Sequence, residues 1–256
     1  MERDGTELLL KSFGLTTMAR ELAAMEERGL HDGWSFRRQL RGLLELEAAE
    51  RGQRRLMRLR KESSLPEGKT LAALEESRLT AGLRRQLAEL CEGHFVERAV
   101  NVLAFGLPGR GKTHYLSAIG HEMIQRHGIP VLFAPSYKLI QRLLEAKRDL
   151  RLEAMLKKLD GYKVIILDDL GYVQATREEM EVLFTFLAER YERRSVMISS
   201  NLVFSQWDRI FQDPMTAMAA VDRLVHHSVI LEFSGESQRT AKASKAAPKR
   251  EKPEAL

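Results

Sequence analysis

Residues Gly106 to Thr113 read GLPGRGKT, and Gly106, Gly111, Lys112 and Thr113 fill the spacing G-x-x-x-x-G-K-[ST]. The pattern carries chemistry because it stands between an apolar run suited to a strand, AVNVLAF, and an amphipathic run suited to a helix. Gly106, Gly109 and Gly111 let the backbone curl until its N–H groups point at phosphate oxygens, while the helix that follows turns its positive end to the same anion. Lys112 then reaches the β- and γ-phosphates as a mobile point charge, and the Thr113 hydroxyl ligates the Mg²⁺ that neutralises them. The spacing predicts an ATP and Mg²⁺ site lined by Gly106, Leu107, Pro108, Gly109, Arg110, Gly111, Lys112, Thr113 and His114. A glycine-rich turn with an incidental lysine is the competing reading, and the strand-to-helix setting disfavours it.

A second apolar run, YKVIILDDLG from Tyr162 to Gly171, ends in two acids. Asp168, first after the run, is expected to hold Mg²⁺ through its water shell, and Asp169 to orient or deprotonate a hydrolytic water. An Asp-Asp-Leu-Gly turn that merely closes a strand is the alternative. A third run, SVMISSN, ends in Asn201, whose amide could sense the γ-phosphate and help place that water; an ordinary strand-end asparagine would look the same. Between the loop and the acids lies VLFAPS, Val131 to Ser136, which is expected to separate the two motif strands in the sheet, an order that suits water-activating ATPases.

These residues need a scaffold. Strands are expected at Val100 to Phe105, Val131 to Ala134, Lys163 to Leu167, Ser195 to Ser199 and Val229 to Phe233, with helices between them. Near-continuous apolar runs such as VIIL fit a parallel sheet covered on both faces. The fold class is therefore α/β, a parallel five-stranded sheet sandwiched by helices. From Thr6 to about Gly93, apolar residues recur three and four apart, as in Leu40, Leu43, Leu44, Leu56 and Leu59, so this part is expected to be helical. Breaks at 29–33 and at 63–68, the latter with Pro66, divide it into several helices. The expected organisation is a helical domain over 1–68, a linker and helix over 69–97, a nucleotide-binding domain over 98–235 and a disordered basic tail over 236–256.

The 256 residues are 44% hydrophobic and 30% charged, enough for one ATPase core and a smaller appendage. Cys91 is the single cysteine, so no internal disulfide can form. The run Leu8 to Leu10 is too short for a signal-peptide core or a membrane span, and a cytoplasmic protein without a membrane partner is expected. A net charge of +5 admits a polyanionic partner without naming one. No repeat at a period of tens of residues points to a solenoid.

With those motifs in place, the chain resembles the IstB-like ATP-binding proteins, helper ATPases encoded beside the IstA transposase in a bacterial insertion-sequence family. The segments that carry the likeness are GLPGRGKTHYLSAIG (106–120), IILDDLGY (165–172), LAERYERRSVMISSN (187–201) and DRLVHHSVILEFSGES (222–237). The resemblance implies a helical N-terminal domain followed by an AAA+ module of the branch that includes the DnaC and DnaI helicase loaders and DnaA. It also implies a homo-oligomer with ATP at subunit interfaces, an IstA-like transposase as partner and double-stranded DNA as substrate surface. Arg223, in DRL just before the last strand, matches the arginine finger that completes a neighbour's site; an ion pair with Asp222 is its plainer role, and Arg193 and Arg194 are lesser candidates. Departures are Arg110 and Tyr115 in the loop phrase, where the family has GPPGVGKTHL, and Gln238 where it has an aromatic. The short stretch after the last strand is expected to leave no room for a helical lid, so Arg239 is not given a sensor role.

The stretch RGQRRLMRLRK, 51–61, places Arg51, Arg54, Arg55 and Arg58 three and four apart on one helix face, where they could meet DNA phosphates. A solvated face paired with Glu47, Glu50 and Glu62 is the alternative, and only the resemblance favours DNA. Lys242, Lys245, Lys249 and Lys252 could add weak contacts. Phe204, Trp207 and Phe211 are expected to pack a helix, and His226 and His227 show no metal-ligand spacing. The leading reading is a DNA-binding, oligomerising ATPase that assists a transposase. A helicase loader of the DnaC or DnaI type and a non-hydrolytic, ATP-gated scaffold are the rivals, and a phosphotransferase is disfavoured by the water site that the two acids and Asn201 provide.

Overall fold

The helical periodicity of the N-terminal third folds into α1 (Gly5–Ser12), α2 (Thr16–His31) and α3 (Phe36–Ser63). The computed structural model describes residues 5–171, 176–202 and 224–234. It divides into two compact units, Met1–Arg58 and Leu59–Leu256. In the first unit Met18, Met25 and Leu43 form a small core against which Leu10, Leu15, Leu22 and Trp34 pack. Leu15 occupies the N-cap position of α2 and has no side-chain acceptor to offer. Glu47, buried on α3, substitutes: its carboxylate accepts from the backbone N–H of Thr17 at 2.7 Å and of Met18 at 3.1 Å. Burial alone would push the Glu47 pKa up, but those two N–H bonds and the Arg51 guanidinium outweigh it and leave the carboxyl below its ordinary value.

The second unit contains α4 (Ala81–Cys91), capped by the Thr80 hydroxyl accepting from Leu83 N–H at 3.2 Å, and the short α5 (His94–Glu97). An alternating chain follows: β1 (Asn101–Phe105), α6 (Lys112–His127), β2 (Val131–Pro135), α7 (Ser136–Arg148), α8 (Leu152–Asp160), β3 (Val164–Leu170), α9 (Arg177–Arg190), β4 (Ser195–Ser200) and β5 (Ser228–Glu232). All five strands pair in parallel, in the order β2-β3-β4-β1-β5. Every residue of β1 and β4 is buried, as a strand with neighbours on both sides and helices on both faces demands. One face is covered by α6, which packs on β1 to β4, and the other by α7, which packs on β2 and β3 and against α8 and α9. Leu103, Ile165, Leu167, Val196 and Ile198 point to the α7–α9 side and join Leu143, Leu183 and Phe186 in one core. Each such side chain, fully buried, contributes about 1.5–3 kcal/mol. No described helix is long and apolar enough to cross a membrane.

One expectation is corrected. Val131 to Ser136 does not separate the motif strands; that segment forms the edge strand β2 and enters α7, while β4 lies between β1 and β3. The burial explains the exchange. Leu132 and Phe133 of β2 are half-exposed, tolerable at an edge, whereas β4 is buried at all of its positions and needs two partners. β3 also runs further than its apolar stretch: Asp168 and Asp169 lie within the strand, with a register break against β4 between Leu167 and Leu170.

Asn101, at the start of β1, ties together the entries to both of β1's neighbours. Its Oδ1 accepts from Val196 N–H at 2.9 Å, its Nδ2 donates to Leu224 O at 3.3 Å, and its backbone N–H donates to His227 O at 2.8 Å. Arg190, 3% exposed at the end of α9, donates to the carbonyls of Leu159, Tyr162, Lys163 and Ser195, and burial pushes its guanidinium down to about 9. It holds the ends of α8 and α9 to the beginnings of β3 and β4.

Candidate functional site

The loop leaves β1 at Phe105 and turns at once. Gly106 has φ +144°, and a Cβ there would stand 2.3 Å from the Phe233 carbonyl oxygen, so only glycine fits. The chain after β5 forms that wall: Phe233 N–H donates to Phe105 O at 2.8 Å, and its carbonyl accepts from Arg110 Nη1 at 3.0 Å. Gly111, at φ +93°, starts α6. Tyr115, fully buried one turn on, donates its hydroxyl to Leu83 O at 2.7 Å and meets the Phe233 ring edge-on at 5.3 Å. The two oddities of the loop phrase, Arg110 and Tyr115, thus share one partner, and burial pushes the Tyr115 phenol well above its ordinary range.

Lys112 is 5% exposed, and its ammonium lies within the loop, donating to Gly106 O at 2.6 Å, Leu107 O at 3.1 Å and Asn201 Oδ1 at 2.7 Å. Leu107 is exposed, and Thr113 is half-buried in the first turn of α6, where its carbonyl accepts from Ser117 Oγ at 2.6 Å. His114 is near the loop in sequence but its ring bonds to Thr70 O at 3.0 Å, so its imidazole serves the segment before α4.

Asp168 and Asp169 reach the same end of the sheet from β3. The Asp168 carbonyl accepts from Ser136 Oγ at 2.8 Å, and its Oδ1 accepts from Ser199 Oγ at 2.6 Å. The same Ser199 oxygen accepts from the Asp169 backbone N–H at 2.9 Å. Asp169 is exposed and takes φ +56°, the left-handed conformation in which aspartate is more at ease than most residues. The next hydroxyl on β4, Ser200, donates to Leu170 O at 2.9 Å. Sequence reasoning missed Ser136, Ser199, Ser200 and Phe233. The visible signal for the serines was the pair of hydroxyls just before Asn201 in an otherwise apolar strand, since buried hydroxyls require partners.

The structure therefore brings Lys112, Asp168, Asp169 and Asn201 to the carboxyl ends of three adjacent strands. Backbone N–H groups and a lysine fit a polyphosphate, and the Thr113 hydroxyl with the Asp168 carboxylate is a hard-oxygen set that fits Mg²⁺. Cys91 takes no part: burial pushes its thiol up to about 11. Arg193 and Arg194 stand at the opposite ends of the strands and pair with Asp160 at 3.5 and 3.4 Å, with Glu189 also engaging Arg193. Arg223 lies outside the described residues, as do Phe204, Trp207, Phe211, Gln238, Arg239 and the tail lysines.

In the first unit, Arg51 and Arg54 are committed to local partners. Both reach Glu47 Oε1, at 2.9 and 3.3 Å; Arg51 also donates to Gly14 O at 2.9 Å and Arg54 to Thr16 Oγ1 at 3.2 Å. Arg55 and Arg58 are exposed on α3. Two of the four arginines on this face thus also serve the buried Glu47.

A five-stranded parallel sheet with a phosphate loop after β1, acids on β3 and an amide ending the strand between them defines a P-loop NTPase of the AAA+ class. The fold agrees with that of DnaI, at a TM-score of 0.56 and 20% identity over 67% of this chain and 96% of that one. It also agrees with that of AMPPCP-bound DnaA from Aquifex aeolicus, at a TM-score of 0.54 and 18% identity over 72% and 57%. Within that class the chain belongs to the family of IstB-like ATP binding proteins, whose model matches residues 8–246. It is similar to an insertion-sequence ATP-binding protein of Sinorhizobium fredii, 39% identical over 97% of this chain and 84% of that one. The insertion sequence IS21 ATP-binding protein of Pseudomonas aeruginosa is 36% identical over 94% and 90%.

Proposed function

We propose that the chain binds ATP with Mg²⁺ in the loop from Gly106 to Thr113, hydrolyses it beside the acids of β3, and uses the cycle to assemble on double-stranded DNA and assist an IstA-like transposase. The observation that carries the hydrolytic reading is Ser199, whose single oxygen fixes the Asp168 carboxylate and the Asp169 backbone together. Two acids in a mere strand-closing turn need no such shared anchor.

The chemistry follows from the contacts. Lys112 donates to two loop carbonyls and one amide oxygen, and anionic phosphate oxygens are stronger acceptors than these neutral ones. Exchange at Lys112 frees the Asn201 carboxamide to face the γ-phosphate. Thr113 and Asp168 are the residues that would hold Mg²⁺, which when bound neutralises charge on the β- and γ-phosphates. Asp169, exposed at the strand end, takes the proton of the attacking water as the γ-phosphoryl group leaves ADP. In a homo-oligomer, Arg223 of one copy stabilises the charge that develops at a neighbour's site. Arg51, Arg54, Arg55 and Arg58, all exposed on α3, give it a sequence-independent attraction to DNA phosphates.

The test is ATP turnover by the full chain with and without duplex DNA, with nucleotide binding measured alongside. Saturable binding that Lys112→Ala abolishes, together with turnover, is expected. Binding without turnover in either condition overturns hydrolysis and leaves an ATP-gated scaffold. Turnover without salt-sensitive duplex binding overturns the DNA part.

A further inference from the structure

At the ends of the strands opposite the phosphate loop, the turn before β4 and the short segment leading into β5 bring Glu192, His226 and His227 together. Each offers one ligand atom, and these atoms lie within 4.8 Å of one another. His227 Nε2 stands 3.5 Å from Glu192 Oε1, and the two imidazole rings meet edge-on with centroids 4.4 Å apart. A tetrahedral ion bound to nitrogen and oxygen at about 2.0–2.1 Å holds its ligands about 3.3–3.4 Å from each other. The His227–Glu192 pair is already close to that spacing, and all three side chains are exposed.

The frame beneath them is rigid. β4 and β5 flank β1, and Asn101 binds the backbone at Val196, Leu224 and His227, so the entries to the two strands keep their separation. The Tyr191 hydroxyl lies 3.4 Å from His226 Nδ1, a second contact of the kind that orients a ligand ring. Two imidazoles and one carboxylate form a borderline set that prefers Zn²⁺ and its first-row neighbours to Mg²⁺. We propose that Glu192, His226 and His227 form a surface site for a divalent transition metal of the Zn²⁺ type, separate from the ATP site, which staples the start of β4 to the start of β5 across β1. The spacing in sequence concealed it, since the carboxylate is contributed 34 positions before His226. Nothing in the proposal depends on the chain hydrolysing ATP.

The plainer role of these residues is an ion pair between Glu192 and protonated His227, which has no use for a metal, and the experiment separates the two. The full chain, stripped with EDTA and kept in millimolar Mg²⁺ without nucleotide, is titrated with Zn²⁺ against a chromophoric chelator. One Zn²⁺ per chain is expected, with affinity lowered about tenfold or more by E192Q and by His227→Ala. Zn²⁺ should raise the melting temperature of the parent and not of the variants, all of which keep the parent fold because the sites are on the surface. Absence of stoichiometric binding by the parent, or parental affinity in both variants, overturns the assignment.

Discussion

Replacing Ser199 by Ala removes one oxygen from a fully buried position in β4 and adds nothing, so packing is left as it was. The loss falls on two bonds, the 2.6 Å donation to Asp168 Oδ1 and the 2.9 Å acceptance from Asp169 N–H. A hydrogen bond to a charged group contributes about 1.5–3 kcal/mol. If that energy holds the acids where the transition state needs them, kcat for ATP falls between about tenfold and about 150-fold, at about 1.36 kcal/mol per decade. KM should stay within about threefold of the parent, because Lys112 and the loop proposed to bind the phosphates keep their own contacts. Steady-state turnover over a range of ATP and Mg²⁺ concentrations, with a melting curve on the same sample, makes the measurement. A variant that melts earlier yet turns over at the parental kcat refutes the reasoning, since Ser199 would then hold the strand end and nothing of the chemistry.

Three further outcomes are expected. Asp169→Asn should retain ATP binding and lose turnover, and normal turnover would move the proton acceptor elsewhere. Gly106→Ala places a methyl against the Phe233 carbonyl in a conformation costing about 1–3 kcal/mol of strain, so loss of ATP binding is predicted and parental affinity by calorimetry would contradict it. Glu47 is held below its ordinary pKa in the folded unit, so its contribution is complete above that ordinary value and is lost as pH falls through the lower folded one. Amide exchange at Thr17 and Met18 should lose protection over that acid window and do so at all pH values in Glu47→Ala, which leaves no acceptor; unchanged protection in the variant argues against the cap.

The phosphate loop, the five strands and the position of Asn201 were legible because each rests on local pattern: glycine spacing, apolar runs and the polar residues that end them. What could not be read depends on neighbours distant in the chain. Nothing local to VLFAPS tells an edge strand from a central one; burial of β4 on both sides decides it once the sheet exists. The break in register that sets Asp169 into the left-handed region arises from pairing β3 with β4, and the carbonyl that closes off Gly106 arrives 127 residues later, at Phe233. Arg51 and Arg54 carried a correct helical spacing but an undetermined partner. The need of α2 for an N-terminal acceptor, created by Leu15, drew Glu47 inward and the two arginines after it.

The wall that shapes the phosphate loop belongs to the chain immediately after β5, and β5 is an edge of the described sheet, bonded to β1 alone. A loop braced from an edge is open to leverage. An outward shift of β5 by the length of one hydrogen bond would part Phe233 from Phe105 and Arg110 while leaving β1, β3 and β4 in place. The nucleotide pocket could thus be loosened without disturbing its acids, and the handle for doing so is β5 itself.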